Sequence, residues 1–412
     1  MAMSDNLSLF EMYQGSFRDL ERTERISPVT VDKIKLIHEM RDSKLSSFAA
    51  HSTSSRGRVV PEQECTIRNC YERDLGRIIY SQAFRRLKHK TQVFFNPAND
   101  HICSRLEHVI YVSYIASTIG SALNLNTDLI RAIALGHDVG HTPFGHSGER
   151  VLNKKLRECD SSLYFEHESN GLRVLDVLEK HGSGFGLNLS FEVRDGIICH
   201  CGETYGERVL VPCKDKSEDD LSYLIPKGRR KLPATLEGCV VRFADKIAYV
   251  GRDIEDALRT GVIESEFNLP MGAGSLGGNN SEIINYLVED IVENSIERNE
   301  IKMSDKAGDA LENALRNNVD VIYKSPKVVT YEKYCDMMLD ALFDSFFEAV
   351  KDIDKARNSR NDVIRQFANF VDSHPQRNAS EQEMPLPIFV SDYIAGMTDT
   401  YATKCFNELF KN

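Results

Sequence analysis

The apolar run Leu129, Ile130, Ala132, Ile133, Ala134 and Leu135 ends directly on Gly136-His137-Asp138. Its spacing is that of a core helix. The chain then continues through Val139-Gly140-His141-Thr142-Pro143-Phe144-Gly145 to His146, so three histidines and one aspartate crowd into ten residues. Burying such groups without partners is costly, so the fold must bring partners to this turn. An adjacent His-Asp pair offers one imidazole nitrogen and one carboxylate oxygen to a single cation. His108 upstream and Asp245 downstream complete a set of two imidazoles and two carboxylates. That set suits a divalent metal of intermediate softness.

The composition can supply a core around that turn. Of 412 residues, 41% are apolar and 27% charged. This is enough for one large domain or two modest ones and is not the profile of a disordered chain. No apolar run approaches the roughly 18 residues of a membrane span. Met1-Ala2-Met3-Ser4-Asp5 lacks the basic start and apolar core of a secretory signal. Ten cysteines without framework spacing fit reduced thiols, and the expectation is a cytoplasmic protein with no membrane partner. Cys199-His200-Cys201 has no second Cys/His pair at zinc-site spacing, so it reads as buried thiols beside a surface histidine. A net charge of −11 opposes a broad nucleic-acid surface. Two basic islands, Arg85-Arg86-Leu87-Lys88-His89-Lys90 and Lys227-Gly228-Arg229-Arg230-Lys231, read either as phosphate contacts or as solvated faces.

The periodicity is helical over 74–90, from His108 to Leu123, from a cap at Thr127 to Gly136, over 147–156 and over 169–180. Pro143 forces a turn after the His-Asp pair. Residues 182–190 and 202–235 read as loops with a short hairpin, and 236–260 as one strong amphipathic helix. Glycines at 272, 274, 277 and 278 mark a flexible break over 271–281. Helical spacing returns over 282–299, 304–317, 331–353, 359–373 and 388–410, with a polar loop at 374–387. The expectation is an all-α protein with minor hairpin and loop insertions. It divides into an N-terminal segment (1–59), a catalytic core (60–265) and a helical C-terminal region packed on that core (266–412).

Asp245, Tyr249, Arg252 and Asp253 fall at i, i+4, i+7 and i+8 and share one helix face. Such a stripe on a buried helix faces a cavity or pairs internally as a salt-bridge ladder. His146 precedes Glu149 by three residues, which has the logic of an acid-base dyad in which the carboxylate orients and charges the imidazole. His167 lies between Glu166 and Glu168.

Three motifs carry a specific resemblance: Arg105-x-x-His108; His137-Asp138-x-Gly140-His141-x-Pro143-Phe144-x-His146; and Asp245-Lys246-x-x-Tyr249-x-x-x-Asp253. Together they resemble the HD-domain deoxynucleoside triphosphate triphosphohydrolases, the bacterial dGTPase family and its animal relative with a SAM domain. The upstream stretch from Arg73 to Val93 and Asp392-Tyr393-Ile394-Ala395-Gly396-Met397-Thr398-Asp399 also look like that family, so the resemblance covers roughly residues 55–405. Many HD phosphodiesterases carry Lys after HD-x-G, whereas this chain has His141, which favours the dNTP branch.

The resemblance implies that His108, His137, Asp138 and Asp245 hold one divalent ion per subunit. Mn²⁺ or Mg²⁺ is the first expectation, and Fe²⁺, Co²⁺ or Ni²⁺ suit the same donors. His146 with Glu149 would be the general acid or base, and His141 and His167 would touch phosphate or support that dyad. Arg105 and Lys246 would clamp the triphosphate. Gln92 and Asp253 match positions that bond the sugar 3′-hydroxyl, and Tyr249 would pack under the deoxyribose, leaving no room for a 2′-hydroxyl. The implied reaction converts a dNTP, dGTP the favoured guess, to deoxynucleoside and inorganic triphosphate. The family also implies a homo-oligomer, and single-stranded DNA or a dNTP as an effector. Two other readings remain open: an HD phosphohydrolase of nucleoside monophosphates or cyclic nucleotides, and a single-stranded nucleic-acid-binding regulatory protein.

Overall fold

Helices form where the apolar spacing puts them, and the departures concentrate at their ends. A computed structural model describes residues 26–94, 101–182, 184–201, 205–263, 276–376 and 384–410. The chain opens with α1 (Pro28–Asp42) and continues with α2 (Cys70–Tyr80) and α3 (Gln82–Arg86). The expected single helix over 74–90 is broken at Ser81, whose extended backbone ends α2 while its hydroxyl accepts from Phe84 N to start α3. Asn69 and Glu72 form a reciprocal capping box on α2. Next come α4 (Arg105–Ala122) and α5 (Thr127–Gly136). The cap of α5 is Asn126, not Thr127: its Oδ1 accepts from the amides of Asp128 and Leu129.

Then follow α6 (His146–Cys159), α7 (His167–Arg173) with a π-turn over Val174–Leu178, the ribbon β1 (Lys180–His181) and β2 (Gly184–Phe185), and α8 (Phe191–Ile198). Strand β3 (Val209–Leu210) precedes α9 (Leu236–Val250) and α10 (Arg252–Arg259). The expected continuous helix over 236–260 is interrupted at Gly251. A Cβ there would meet Asn280 Oδ1 at 2.3 Å, so any other residue would have to push that side chain aside. The remainder is α11 (Asn280–Ser295), β4 (Ile301–Lys302), α12 (Asp305–Asn318), α13 (Pro326–Lys351), α14 (Ile353–Arg357), α15 (Asp362–Asp372), α16 (Leu386–Ala395) and α17 (Asp399–Phe410). Residues 271–275 of the glycine-rich break and 377–383 of the polar loop lie outside the described residues.

The fold is all-α. Among the described residues its two small sheets are antiparallel pairs, β1 with β2 and β3 with β4, the latter in register Val209–Lys302 and Leu210–Ile301. No helix among the described residues is long and apolar enough to cross a membrane. All ten cysteines are reduced thiols.

The two largest apolar cores among the described residues set where a site can form. The larger gathers α2, α4, α5, α8, α9, α11 and α12, from Ala49 to Leu315. The second packs Phe144, Val151, Leu152, Leu156 and Phe165 against α13, α15, α16 and α17. Because α5 belongs to the first and α6 to the second, the segment from His137 to Gly145 runs along the seam between them. Polar ties lock that seam. Lys90 Nζ donates to the carbonyls of His141 and, at 2.8 Å, Ala395. Asp399 accepts from Phe144 N and Thr91 N, each at 2.9 Å. Arg173 donates to both oxygens of Asp392, at 2.8 and 2.6 Å. The Asp392-to-Asp399 motif thus pins the His-Asp loop from behind. Phe144 and Gly145 turn with positive φ, of 58° and 56°, a backbone cost the surrounding ties must offset.

Candidate active site

Helix α5 closes in a 3₁₀ turn over His137–Gly140, which tips the His-Asp pair into the seam. His137 Nδ1–H donates to Ala134 O at 2.7 Å. That bond leaves the ring's lone pair on Nε2, which is buried without a hydrogen-bond partner. His108, in the first turn of α4, puts Nε2 2.9 Å from Asp245 Oδ1 on α9. Asp138 Oδ1 lies 3.5 Å from His137 Nε2 and 3.0 Å from His141 Nε2, while its Oδ2 accepts from Arg105 at 2.9 Å. Donor atoms of His108, His137 and Asp138 lie within 4.8 Å of one another, as do those of His137, His200 and Asp245. An orphaned, buried imidazole nitrogen facing two carboxylates is what a divalent cation would satisfy, so these residues fit one.

The turn opens into a cavity of about 610 Å³, lined by Gln92, Arg105, His108, Asp138, His141, His146, His167, His200, Asp245, Tyr249 and Asp253, among others. Behind its wall Glu149 accepts from His167 Nδ1 at 2.9 Å and His167 N at 3.2 Å. His146 Nδ1 stands 3.8 Å from the same carboxylate, beyond hydrogen-bond range, and its ring is solvent-exposed. In this arrangement the hydrogen-bonded partner of Glu149 is His167, not His146. Burial alone would lower the His167 pKa, but Glu168 and Glu149 outweigh it and push the imidazole up to about 10. Burial likewise opposes the Glu149 carboxylate, and His167 outweighs it and holds the pKa well below the usual range. His141 stacks on His167 with ring centroids 3.9 Å apart. Burial, then Arg105 and His167, hold its pKa well below the ordinary value.

Tyr249 and Asp253 line the cavity from α9 and α10, and Asp253 accepts from the Tyr323 hydroxyl. Burial pushes the Asp253 carboxyl up to about 7. Gln92 also lines it, its Oε1 buried without a hydrogen bond. Two other residues fall elsewhere. Arg252 turns out of the stripe to Tyr111 OH and Glu255, at 2.6 and 2.7 Å. Lys246 is not among the lining residues; its Nζ donates to Glu207 at 2.8 Å.

An HD domain model matches residues 105–250, and a phosphohydrolase-associated domain model matches 301–408. The chain is 38% identical over 377 residues to a deoxyguanosinetriphosphate triphosphohydrolase-like protein of Caldanaerobacter subterraneus subsp. tengcongensis, covering 91% of this chain and 95% of the relative. A protein of the same description from Desulfatibacillum aliphaticivorans is 39% identical over 374 residues, 89% of this chain and 94% of its own length. The chain belongs to the deoxyguanosinetriphosphate triphosphohydrolase-like family. It is a hydrolase with the HD phosphohydrolase fold.

The family's associated domain covers α12 to α17, the helices that carry the ties to Lys90, Thr91 and Phe144. It also delivers Tyr323 to the cavity. His200 is a correction: it is buried, not a surface residue. Its Nδ1–H donates to Ile197 O at 2.6 Å, and its ring meets those of His137 and His167 edge-on or tilted, at 4.8 and 5.4 Å. Burial, then His137 and His167, lower its pKa to about 3, which keeps it neutral. In the basic island after Pro226 only the Arg230 side chain turns inward, while Lys227 and Lys231 pair near the surface. Arg230 pairs with Glu166, Lys227 lies 3.3 Å from Glu168, and Lys231 pairs with Asp220 at 2.8 Å. Arg150, one turn beyond His146, and Lys324 are lining cations that the sequence reading passed over.

Proposed function

We propose that this hydrolase is a metal-dependent dNTP triphosphohydrolase, with dGTP the favoured substrate, that releases deoxynucleoside and inorganic triphosphate. The observation that carries the reading is the buried, unpartnered His137 Nε2 set among His108, Asp138 and Asp245 at the floor of a nucleotide-sized cavity. His108, His137, Asp138 and Asp245 would hold the ion. Bound there, it would polarise a phosphate oxygen and lower the pKa of water. Names borne by the relatives support the substrate class.

The remaining steps belong to side chains. His167, cationic beside Glu149, faces phosphate as a fixed positive charge inside a low-dielectric wall. His146, on the rim 3.8 Å from that carboxylate, exchanges the proton with the attacking water or the 5′-oxygen. Arg105 is the natural phosphate clamp of the floor, and Arg150 and Lys324 take over at the mouth the part first given to Lys246. Tyr249 closes the space of a 2′-hydroxyl, and Gln92 and Asp253 meet the 3′-hydroxyl. With the family we also infer a cytoplasmic homo-oligomer, open to a DNA or dNTP effector.

The test is incubation of each of the four dNTPs, and of GTP, with Mn²⁺ and the purified chain, followed by phosphorus NMR. Inorganic triphosphate from a dNTP but not from GTP supports the reading. Cleavage confined to single-phosphate esters moves it to the other HD phosphohydrolases.

A further inference from the structure

Glu168 carries a buried charge that its cationic neighbours meet only at ion-pair distance. Its side chain is buried, and no hydrogen bond reaches either carboxylate oxygen. Such a group ordinarily costs more than a fold tolerates. Cations surround it without closing on it: Lys227 Nζ is 3.3 Å from Oε1, and His167 Nδ1 and Arg230 Nη1 are 3.7 and 3.9 Å from Oε2. A carboxylate oxygen of Glu168, a ring nitrogen of His167 and the Cys201 sulfur lie within 4.8 Å of one another. All three residues are buried, and His167 and Cys201 border the cavity, which gives an ion a way in.

His167 has the arrangement of a ligating histidine. Its Nδ1 is bonded to Glu149 at 2.9 Å, which orients the ring beside Glu168 and Cys201. A carboxylate, an imidazole and a thiolate with a fourth position toward a cavity match the donor pattern of zinc with an open position.

We propose that His167, Glu168 and Cys201 form a second metal site, selective for a thiophilic divalent cation of the zinc class and separate from the His-Asp centre. Binding displaces the protons of the Cys201 thiol and the His167 imidazolium to solvent, and no electron changes hands. Oxygen-preferring Mg²⁺ and Mn²⁺ do not take it, because its donors include sulfur. An ion there removes His167 from its cationic role, so the site is inhibitory if the function proposed above holds.

The test uses the full chain stripped of metal and titrated with Co²⁺, which reports a thiolate ligand by charge-transfer absorption in the near ultraviolet. The expected result is two equivalents bound, the second bringing that band. Cys201→Ser should keep one equivalent and lose the band, while Asp245→Asn should keep the band and lose the other equivalent. Zinc-edge X-ray absorption of the two-zinc protein should show sulfur at about 2.3 Å. Saturation without a thiolate band, or a band that survives Cys201→Ser, overturns the site. A band lost in Asp245→Asn overturns its separateness. None of these readouts depends on hydrolysis, so failure here leaves the proposed function standing.

Discussion

Gly140→Ala is the smallest change that should disable this centre. A Cβ on Gly140 would fall 2.1 Å from the His167 carbonyl oxygen and 2.2 Å from Gly171 N. Both obstacles are backbone, so no side chain can rotate away. Ordinary contact starts near 3.4 Å, and α7 must therefore retreat by about 1.3 Å. The retreat stretches the 2.7 Å bond from Asn170 Nδ2 to Gly140 O and carries His167 off Glu149. Overpacking of this kind costs about 1–3 kcal/mol, and a backbone-on-backbone clash belongs at the upper end. A catalytic group displaced by about 1 Å loses on the order of 100-fold in rate. The expected outcome is a melting temperature several degrees lower and dNTP hydrolysis down about two orders of magnitude. Gly228→Ala is the matched control, since nothing lies within 4 Å of its Cβ. Differential scanning fluorimetry and a chromatographic assay of deoxynucleoside release on the pair decide it. Parental melting and parental turnover in Gly140→Ala would refute the packing argument.

Three further predictions follow the same reasoning. Glu149→Gln removes the charge that sustains the His167 cation, so kcat should fall by about 10²–10⁴-fold and the alkaline limb of the rate profile, expected near pH 10 in the parent, should move to lower pH; an unmoved limb denies the pairing its role. The Asp253 carboxyl is raised from 3.8 to about 7, so its folded state prefers the proton, and stability is lost as pH climbs from about 4 through 7. Asp253→Asn lifts that penalty, at most ~4 kcal/mol, and its stability advantage over the parent should widen across that window and then level; an advantage that shrinks with pH contradicts the assignment. Arg173→Met strands the buried Asp392 beside His374, and thermal unfolding should show a loss of about 3–5 kcal/mol that Arg173→Met/Asp392→Leu largely restores; equal losses in both variants would mean the pair is not the coupling element.

The sequence made the helices legible because their apolar spacing is strong, and it gathered the four candidate metal donors because the His-Asp turn needs distant partners. What stayed hidden depends on packing between elements. Lys246 follows Asp245 directly, and successive helix residues point about 100° apart, so proximity in sequence carried it away from the cavity. His200 looked like a surface residue because nothing in Cys199-His200-Cys201 shows that α8 ends against α7 and the 3₁₀ turn. The Glu149–His167 pair spans 18 residues and two helices, whereas His146–Glu149 is visible as a local spacing. Tyr323 reaches Asp253 from 70 residues away, beyond any periodicity. Ser81 and Asn126 show the smaller lesson, that capping side chains reset helix ends which apolar spacing alone leaves uncertain by a turn.

The central claim is that water attacks the α-phosphorus at the His-Asp centre and the triphosphate leaves whole. Its most direct test is to run the reaction on dGTP with Mn²⁺ in heavy-oxygen water and locate the label by phosphorus NMR and mass spectrometry. The account predicts one heavy oxygen in the inorganic triphosphate and none in the deoxynucleoside. A label on the 5′-hydroxyl of the deoxynucleoside, or stepwise release of orthophosphate, would contradict it.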